Sequence, residues 1–494
     1  MPKSQVSKAP PFERSYSLSL LTAVLSLVPY IVVTSAYVFY RDQVKAELGS
    51  ASPSLQIING LSTAAYAFGA LAAGDIINRV KQRTLFLLFE TLFVIGCALS
   101  ATAQTTIQYG AGRILQGLAT GLLLVVALPP VIQRFPASRM PITAAAVNIG
   151  FFGAVTLGPL VGGITAHLHA WRGFYTVLAL MGCVTFGLAV LTLPHQEPPN
   201  RQMRIDLAGL LLGFAGTALP FLAVGQLSAT GFSSARFSVP LGMGLACLLM
   251  LLIVEYRRKE PLAPVKQMWH TFPIVGTLAA MFGGAVYVAF LALGEELLLR
   301  VQHWTALEAG LEFWPQVVGV AVSAAMLGVL LQTRFLPILI LLGMLMLPAG
   351  GWLLFSSHPP SGPHVLAAVG ILGLGAGATV SPGLYLAAFS LPSRILGRIF
   401  ALVELVRSVA DFIVAPVMLE LAKVMSNAGS PSAKGLHAAF LTTAAISLVS
   451  TLGGALLYGL GGSGLPRPDL AAWIAKNRPA WASPPLLGAV RRRN

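Results

Sequence analysis

The chain has 494 residues, of which 56% are apolar and only 10% charged, and its mean hydropathy is +0.77. No soluble domain of this size could hide that much apolar surface, so a soluble protein is excluded. A net charge of +15 would suit a nucleic-acid partner, but the basic residues fall in loops on one side of a series of apolar runs, which points to a membrane instead.

In chain order, residues 1–16 form a polar tail containing Lys3, Lys8 and Arg14. The next run is too long, and lacks the small-residue cleavage site, to be a signal peptide. Spanning helices are expected near 17–40, 53–77, 84–103, 106–133, 139–168 and 172–193. The Pro-rich stretch 194–205 reads as a linker. Two helices follow near 206–226 and 236–256, then a second polar linker over 257–270. Six more are expected near 271–299, 306–331, 335–357, 364–390, 394–425 and 435–461, and 462–494 reads as a loosely ordered tail ending Arg491-Arg492-Arg493.

Fourteen helices put both termini on one side. With that side cytoplasmic, 23 of the 32 Lys and Arg lie in cytoplasmic segments and 7 in the opposite loops, while Arg113 and Arg407 lie inside helices. The asymmetry follows the positive-inside rule. Cys97, Cys183 and Cys247 all fall inside apolar helices and allow neither a disulfide framework nor a zinc site. His167 and His169 are close, but no cluster with metal-ligand spacing accompanies them, so no metal is expected.

The most informative stretch is Gly150–Arg172. Ala154, Gly158 and Gly162, spaced by four, form one small face on a helix, which lets a second helix approach to backbone contact. Pro159 has no N–H and crowds the Val155 carbonyl, so a kink is expected there. Trp171 and Arg172 then mark the exit into the interface. The sequence Gly158-Pro159-Leu160-Val161-Gly162-Gly163, with Trp171-Arg172 and Phe174 after it, resembles the fifth-helix antiporter motif of the major facilitator superfamily. On the preceding helix Tyr109, Arg113, Gln116, Gly117 and Gly121 resemble the superfamily's fourth-helix R-x-x-Q-G pattern.

The six-two-six plan resembles that of the fourteen-helix drug:proton antiporters. The stretch from Glu255 to Leu262, and Ala306-Leu307-Glu308-Ala309-Gly310-Leu311 with Pro315, are similar to loop starts in that branch. The resemblance implies an all-α polytopic membrane protein with the major facilitator fold. Two six-helix bundles (17–193 and 271–461) flank two inserted helices (206–256), and a central cavity alternates its access. The loop after helix two departs from the family pattern G-x-L-A-D-R-x-G-R-K. Gly74, Arg79 and Arg83 agree, but Asn78 replaces the acid of the charge lock, so the ionic part of that lock is expected to be gone. Helix one carries Pro29, Tyr30, Thr34 and Tyr37 but no acid before Asp42, where proton-coupled relatives often carry an Asp.

A charge at the centre of a membrane helix costs roughly 2.5–3.5 kcal/mol on insertion scales and is a functional candidate for that reason. Arg113 is one; the resemblance makes it a cavity residue that answers protonation of a nearby acid. Glu404, Arg407 and Asp411 share one face of helix thirteen, where Arg407 can neutralise one acid and leave the other to bind a proton. An ion-pair network that only fixes helix packing is the competing reading. Glu295 and Glu296 near the outer end of helix nine point about 100° apart, so at most one faces the cavity squarely. Glu90 is read as interfacial. Tyr30, Thr34, Tyr37, Tyr66, Gln116, Asn148, Trp314 and Gln316 are candidate cavity-lining groups. Gly74, Arg79, Arg83, Gly117, Gly158, Pro159, Gly162 and Gly163 are the candidate conformational residues.

No GxxxxGK[ST] phosphate loop is present, so ATP is not the expected driving force, and no enzyme constellation or cofactor is expected. The expectation is an inner-membrane exporter of small amphipathic compounds in exchange for protons, both termini cytoplasmic. Its expected partners are the lipid bilayer, the substrate and protons, with a periplasmic adaptor protein optional. Two readings stay open beside it: a facilitator, or a lipid or siderophore exporter, without coupling through helix one; and a non-transporting membrane receptor or assembly partner.

Overall fold

The computed structural model describes residues 15–194, 205–258, 261–356, 362–426, 430–462 and 464–486. Most of the tail 1–16, the linker residues 195–204 and the terminal Arg491-Arg492-Arg493 lie outside the described residues. The first six long helices are α1 (Tyr16–Glu47), α2 (Ser52–Ile76), α3 (Gln82–Ala101), α4 (Thr106–Arg134), α5 (Ala137–His167) and α6 (Trp171–Thr192). Then come α7 (Leu207–Thr230) and α8 (Ala235–Arg257). The last six are α9 (Thr271–Val301), α10 (Ala306–Leu330), α11 (Leu336–Ser356), α12 (Gly362–Phe389), α13 (Leu396–Ser426) and α14 (Ala433–Leu460). A short helix, α15 (Leu470–Lys476), closes the chain.

Helix starts are set by side chains that satisfy orphan backbone N–H groups. Thr105, Asp206 and Ser432 each accept from the backbone N–H three residues on, and Thr305 with Glu308 forms a capping box that opens α10. Thirteen of the fourteen long helices are apolar enough to cross a bilayer. The remaining one, α13, has 31 residues, about 46 Å at 1.5 Å per residue, so it is long enough to span. Glu404, Arg407 and Asp411 interrupt its apolar surface. Met243 and Leu249 on α8, and Val449 and Leu452 on α14, are more than half exposed and form part of the lipid-facing belt.

Within the first six helices α2 packs on α4, α3 on α4 and α6, and α1 on α5; within the last six α9 packs on α12, α13 and α14, and α12 on α10 and α11. The two sets meet along two seams, α2 against α13 and α5 against α10. The pair α7–α8 lies beside the first seam, with α7 touching both α2 and α13.

The small face of α5 makes the expected approach, and its partner is α1. A Cβ on Gly158 would stand 1.9 Å from Ser35 Oγ, and one on Gly162 2.5 Å from the Ala36 carbonyl oxygen. Gly163 points elsewhere: its added Cβ would meet the Ala306 carbonyl oxygen at 2.5 Å, and one on Gly310 would meet that of Pro159 at 2.5 Å. The motif thus serves two contacts, one inside the first set and one across the α5–α10 seam. The helix runs on through Pro159, and the irregular register lies upstream, in a π turn over Ile149–Gly153. Gly117 meets Ser62, where its Cβ would lie 2.0 Å from the carbonyl oxygen, so α2 and α4 touch at backbone distance.

Three expectations are corrected. α1 runs to Glu47 instead of ending near 40, because Arg41 and Asp42 continue it toward the aqueous end. Glu90 is not interfacial: it is fully buried on α3, packed toward Gly182 of α6 with both carboxylate oxygens unpartnered. The described part of the tail, 464–486, is docked and not loose. α15 docks through buried Trp473, whose Nε1 donates to Leu391 O at 2.8 Å, and Phe389 O accepts from Ala480 N at 2.7 Å. Trp473 and Trp481, both buried, with the Trp473 N–H satisfied, outweigh the entropy that Pro-rich composition suggested. Tyr16 and α15 both touch the turn Ala137–Arg139, so the two described ends of the chain share one face. That face carries the Arg79, Arg139, Arg258 and Arg394 loops and is called the basic end below.

Candidate functional site: a charged cavity between the two sets of helices

A cavity of about 320 Å³ lies between the two sets of helices. Its lining runs from Tyr66 and Arg407 in mid-helix toward Arg41, Gln56 and Leu419 at the end opposite the basic loops. Tyr30, Thr34, Tyr37 and Tyr66 line it from α1 and α2, Glu295 from α9, and Arg407 and Asp411 from α13.

The charged core is on α13. Arg407 Nε donates to Glu404 Oε2 at 3.0 Å, Nη2 bonds Glu404 Oε1, and Nη1 bonds Asp411 Oδ2. Arg407 therefore pairs with both acids, not one, because residues three before and four after it fall on either side of the same guanidinium fork. The two acids are not equivalent. Glu404 also accepts from Tyr66 OH at 2.7 Å and from Ser408 Oγ at 3.4 Å. Asp411 keeps Oδ1 buried and unpartnered. Gly284 of α9 makes room for that oxygen, since a Cβ there would stand 2.6 Å away. The ring of Phe151, carried by the π turn of α5, faces the Arg407 guanidinium at 5.5 Å.

Arg113 on α4 is buried but does not line the cavity and, among the described residues, has no carboxylate partner. It donates to Gln116 Oε1 at 3.1 Å, Asn59 Oδ1 at 3.3 Å and Thr34 Oγ1 at 3.4 Å, and faces the Tyr30 ring at 5.6 Å. Tyr30 stacks on Tyr66 with ring centroids 5.6 Å apart, and Tyr66 reaches Glu404. The two arginines are thus linked, across the α2–α13 seam, by two tyrosines and one carboxylate.

The other candidates fall elsewhere. Gln116 is tied inside the first set, donating to Gly96 O and Ser100 Oγ, both at 3.0 Å. Asn148 Nδ2 donates to Gly377 O of α12 at 3.0 Å and pins the two sets together. Gln316 accepts from Tyr287 OH at 2.5 Å, inside the second set. None of these three lines the cavity, and Trp314 is half exposed on the outer surface. A polar residue on an apolar helix has two physical outlets, a cavity or a neighbouring backbone, and spacing does not choose between them. Glu295 is buried against the cavity with Oε1 unpartnered; Glu296 is half-buried and does not line it.

At the basic end the cavity is closed. Gly74 of α2 packs toward Ala401 and Arg398 of α13, and Gly397 toward Val125 of α4. Asn78 donates only to Gly74 O, but Asp75, one turn back, pairs with Arg79 at 2.6 Å. That ion pair runs along the end of α2 itself, so it orders the loop beside the seam and is a different contact from the gate lock that Asn78 leaves without its acid. Arg83 Nη1 donates to Leu193 O at 3.0 Å. Sequence reasoning missed Asn59, Phe151, Phe412 and the α7 residues Val224 and Gly225, all of which line the cavity. Asn59, Thr63 and Tyr66 were readable as a polar stripe of helical spacing; the contribution of α7 had no such signal.

A helical membrane protein with its cavity between two sets of six helices has the architecture of a secondary transporter. The family model of the Major Facilitator Superfamily matches residues 18–415, and the chain belongs to that superfamily. Among similar proteins, an uncharacterised MFS-type transporter of Bacillus subtilis is 27% identical over 405 residues, covering 80% of this chain and 78% of that one. A cephamycin export protein of Amycolatopsis lactamdurans is 29% identical, covering 60% and 63%. A puromycin resistance protein of Streptomyces alboniger is 26% identical, covering 70% and 69%. A solved POT family transporter matches 92% of this chain and 99% of its own with a TM-score of 0.67 at 15% identity, a likeness of fold. The protein is a multi-pass membrane transporter of this superfamily, and several of its relatives are named for antibiotic export or for drug resistance.

Proposed function

We propose that the protein exports small amphipathic compounds from the cytoplasm in exchange for protons, with its basic end cytoplasmic. The observation that carries this reading is the buried Glu404–Arg407–Asp411 set, with Arg407 and Asp411 on the cavity wall and one Asp411 oxygen left without a partner among the described residues. A coupling carboxylate must change protonation between two access states, and that requires an acid both held in place and open to a proton. Asp411 fits that need better than Glu404, whose oxygens are all engaged. The cavity offers a carboxylate side at Asp411 and Glu295 and an apolar, aromatic side at Tyr30, Phe151 and Phe412, which suits compounds with both polar and apolar parts. The six-two-six division, with 17–193 and 271–461 as the moving bundles, is part of the same proposal, as is location in a bacterial inner membrane.

The test is efflux from proteoliposomes under an imposed pH gradient, wild type beside Asp411→Asn. The expected outcome is gradient-driven efflux in the wild type only. Efflux in both that ignores the gradient would establish the facilitator reading instead, which the missing acid of helix one favours. For orientation, Ser233→Cys and Ser138→Cys, both on exposed positions, are compared in intact cells. An impermeant thiol reagent should label the first and not the second; the reverse pattern inverts the topology.

A further inference from the structure

The stretch from 261 that leads into α9 is built into the closed end of the cavity, and one acid holds it there. Glu255 is fully buried in the last turn of α8. A carboxylate at a helix C-terminus opposes the helix dipole, so helix formation does not explain it. Its Oε2 accepts from the backbone N–H of Leu262 at 2.5 Å and of Ala263 at 3.2 Å. Arg258 lies 3.9 Å from Glu255 Oε1 and bonds Asp206, the N-cap of α7. The start of α7, the end of α8 and the loop entering α9 are thereby fastened at one point. The residue so held is Leu262, 1% exposed, which packs with Ala67 and Leu71 of α2, Leu251 of α8 and Leu405 of α13. Its carbonyl oxygen lies 4.0 Å from the position a Cβ on Gly74 would take. Leu262 therefore sits in the α2–α13 seam at the basic end, beside Asp75–Arg79.

We propose that Glu255 is a positioning residue that sets Leu262 as a wedge in this seam, so that opening the basic end requires the Glu255–Leu262 clasp to move or release. This gives the inserted helices a part in the transport cycle and gives the Glu255–Leu262 stretch a physical reason. The proposal rests on the alternating-access reading above.

The test uses the full chain, with Cys97, Cys183 and Cys247 replaced, and two single-cysteine reporters. Ala401→Cys reports the basic end, where Ala401 packs toward Gly74, and Thr63→Cys reports the cavity wall. An impermeant maleimide is applied from each side in vesicles. Glu255→Ala leaves two buried N–H groups without an acceptor, and it should raise labelling at Ala401→Cys on the order of tenfold while lowering it at Thr63→Cys. Glu255→Gln keeps an acceptor oxygen and should stay near wild type. Leu262→Ala removes the wedge but leaves the backbone clasp intact, and it must shift both reporters in the same directions as Glu255→Ala. That variant also decides the matter if Glu255→Ala fails to accumulate.

Opposite changes at the two reporters separate a moved equilibrium from a loosened fold, which would raise both. Unchanged rates in Glu255→Ala and Leu262→Ala, while a transported compound shifts both reporters in the wild type, overturn the wedge alone. Wild-type rates that no transported compound shifts overturn alternating access itself, and the wedge with it.

Discussion

The two buried arginines, Arg113 on α4 and Arg407 on α13, are the same side chain in opposite electrostatic settings. Arg407 is held by two carboxylates on its own helix, so its charge and theirs leave a local excess of one negative charge when both acids are ionised. Arg113 has only neutral oxygens and a tyrosine face around it, and leaves an excess of one positive charge. Neither site is balanced alone; the pair balances only across the α2–α13 seam, through Tyr30, Tyr66 and Glu404. Unbalanced charge is costly in a low dielectric. The difference therefore supplies a reason why the two sets of helices sense each other's charge state. It also makes protonation of Asp411 a change in the balance of both.

The largest expected effect comes from removing the better-satisfied arginine. Arg407→Ala strands two buried carboxylates and should cost about 3–5 kcal/mol, with transport lost and thermal stability in detergent clearly lowered. Wild-type stability in that variant would mean that the acids are already neutral. Next is Asp411→Asn, which keeps shape and removes the titrating oxygen. Gradient-driven efflux should fall to the uncoupled background, while stability changes by no more than about 1 kcal/mol and substrate binding, read by equilibrium dialysis, persists. Glu404→Gln should likewise lose coupling, but with a larger stability loss, because Tyr66, Ser408 and Arg407 all lose a charged acceptor.

Arg113→Gln probes the other side of the comparison. Removing a charge without an anion partner should leave stability within about 1 kcal/mol of wild type while uncoupling efflux from the gradient. A stability loss as large as that of Arg407→Ala would show that the neutral oxygens hold Arg113 as firmly as carboxylates do. The smallest expected effect is that of Tyr66→Phe, which keeps the ring stack with Tyr30 and loses one hydrogen bond. A cost of about 1 kcal/mol, or roughly fivefold in efflux rate, is expected, and an unchanged rate would remove Tyr66 from the link between the two arginines.

What the sequence determined is the set of features that depend on local composition and spacing. Apolar run length placed the spanning helices, since about 20 residues cross the hydrocarbon region whatever surrounds them. Helical periodicity put Glu404, Arg407 and Asp411 on one face, and the four-residue spacing of Ala154, Gly158 and Gly162 announced a close helix contact. Tertiary structure decided what those faces meet. It chose α1 as the partner of the α5 stripe and turned Gly163 toward α10. It sent Gln116, Asn148 and Gln316 to neighbouring groups instead of the cavity, paired Arg79 with Asp75, and buried Glu90 and the tail tryptophans. Each of these depends on which helix is the packing neighbour. That neighbour is set by the packing of the whole bundle, to which the spacing of residues within one helix is blind.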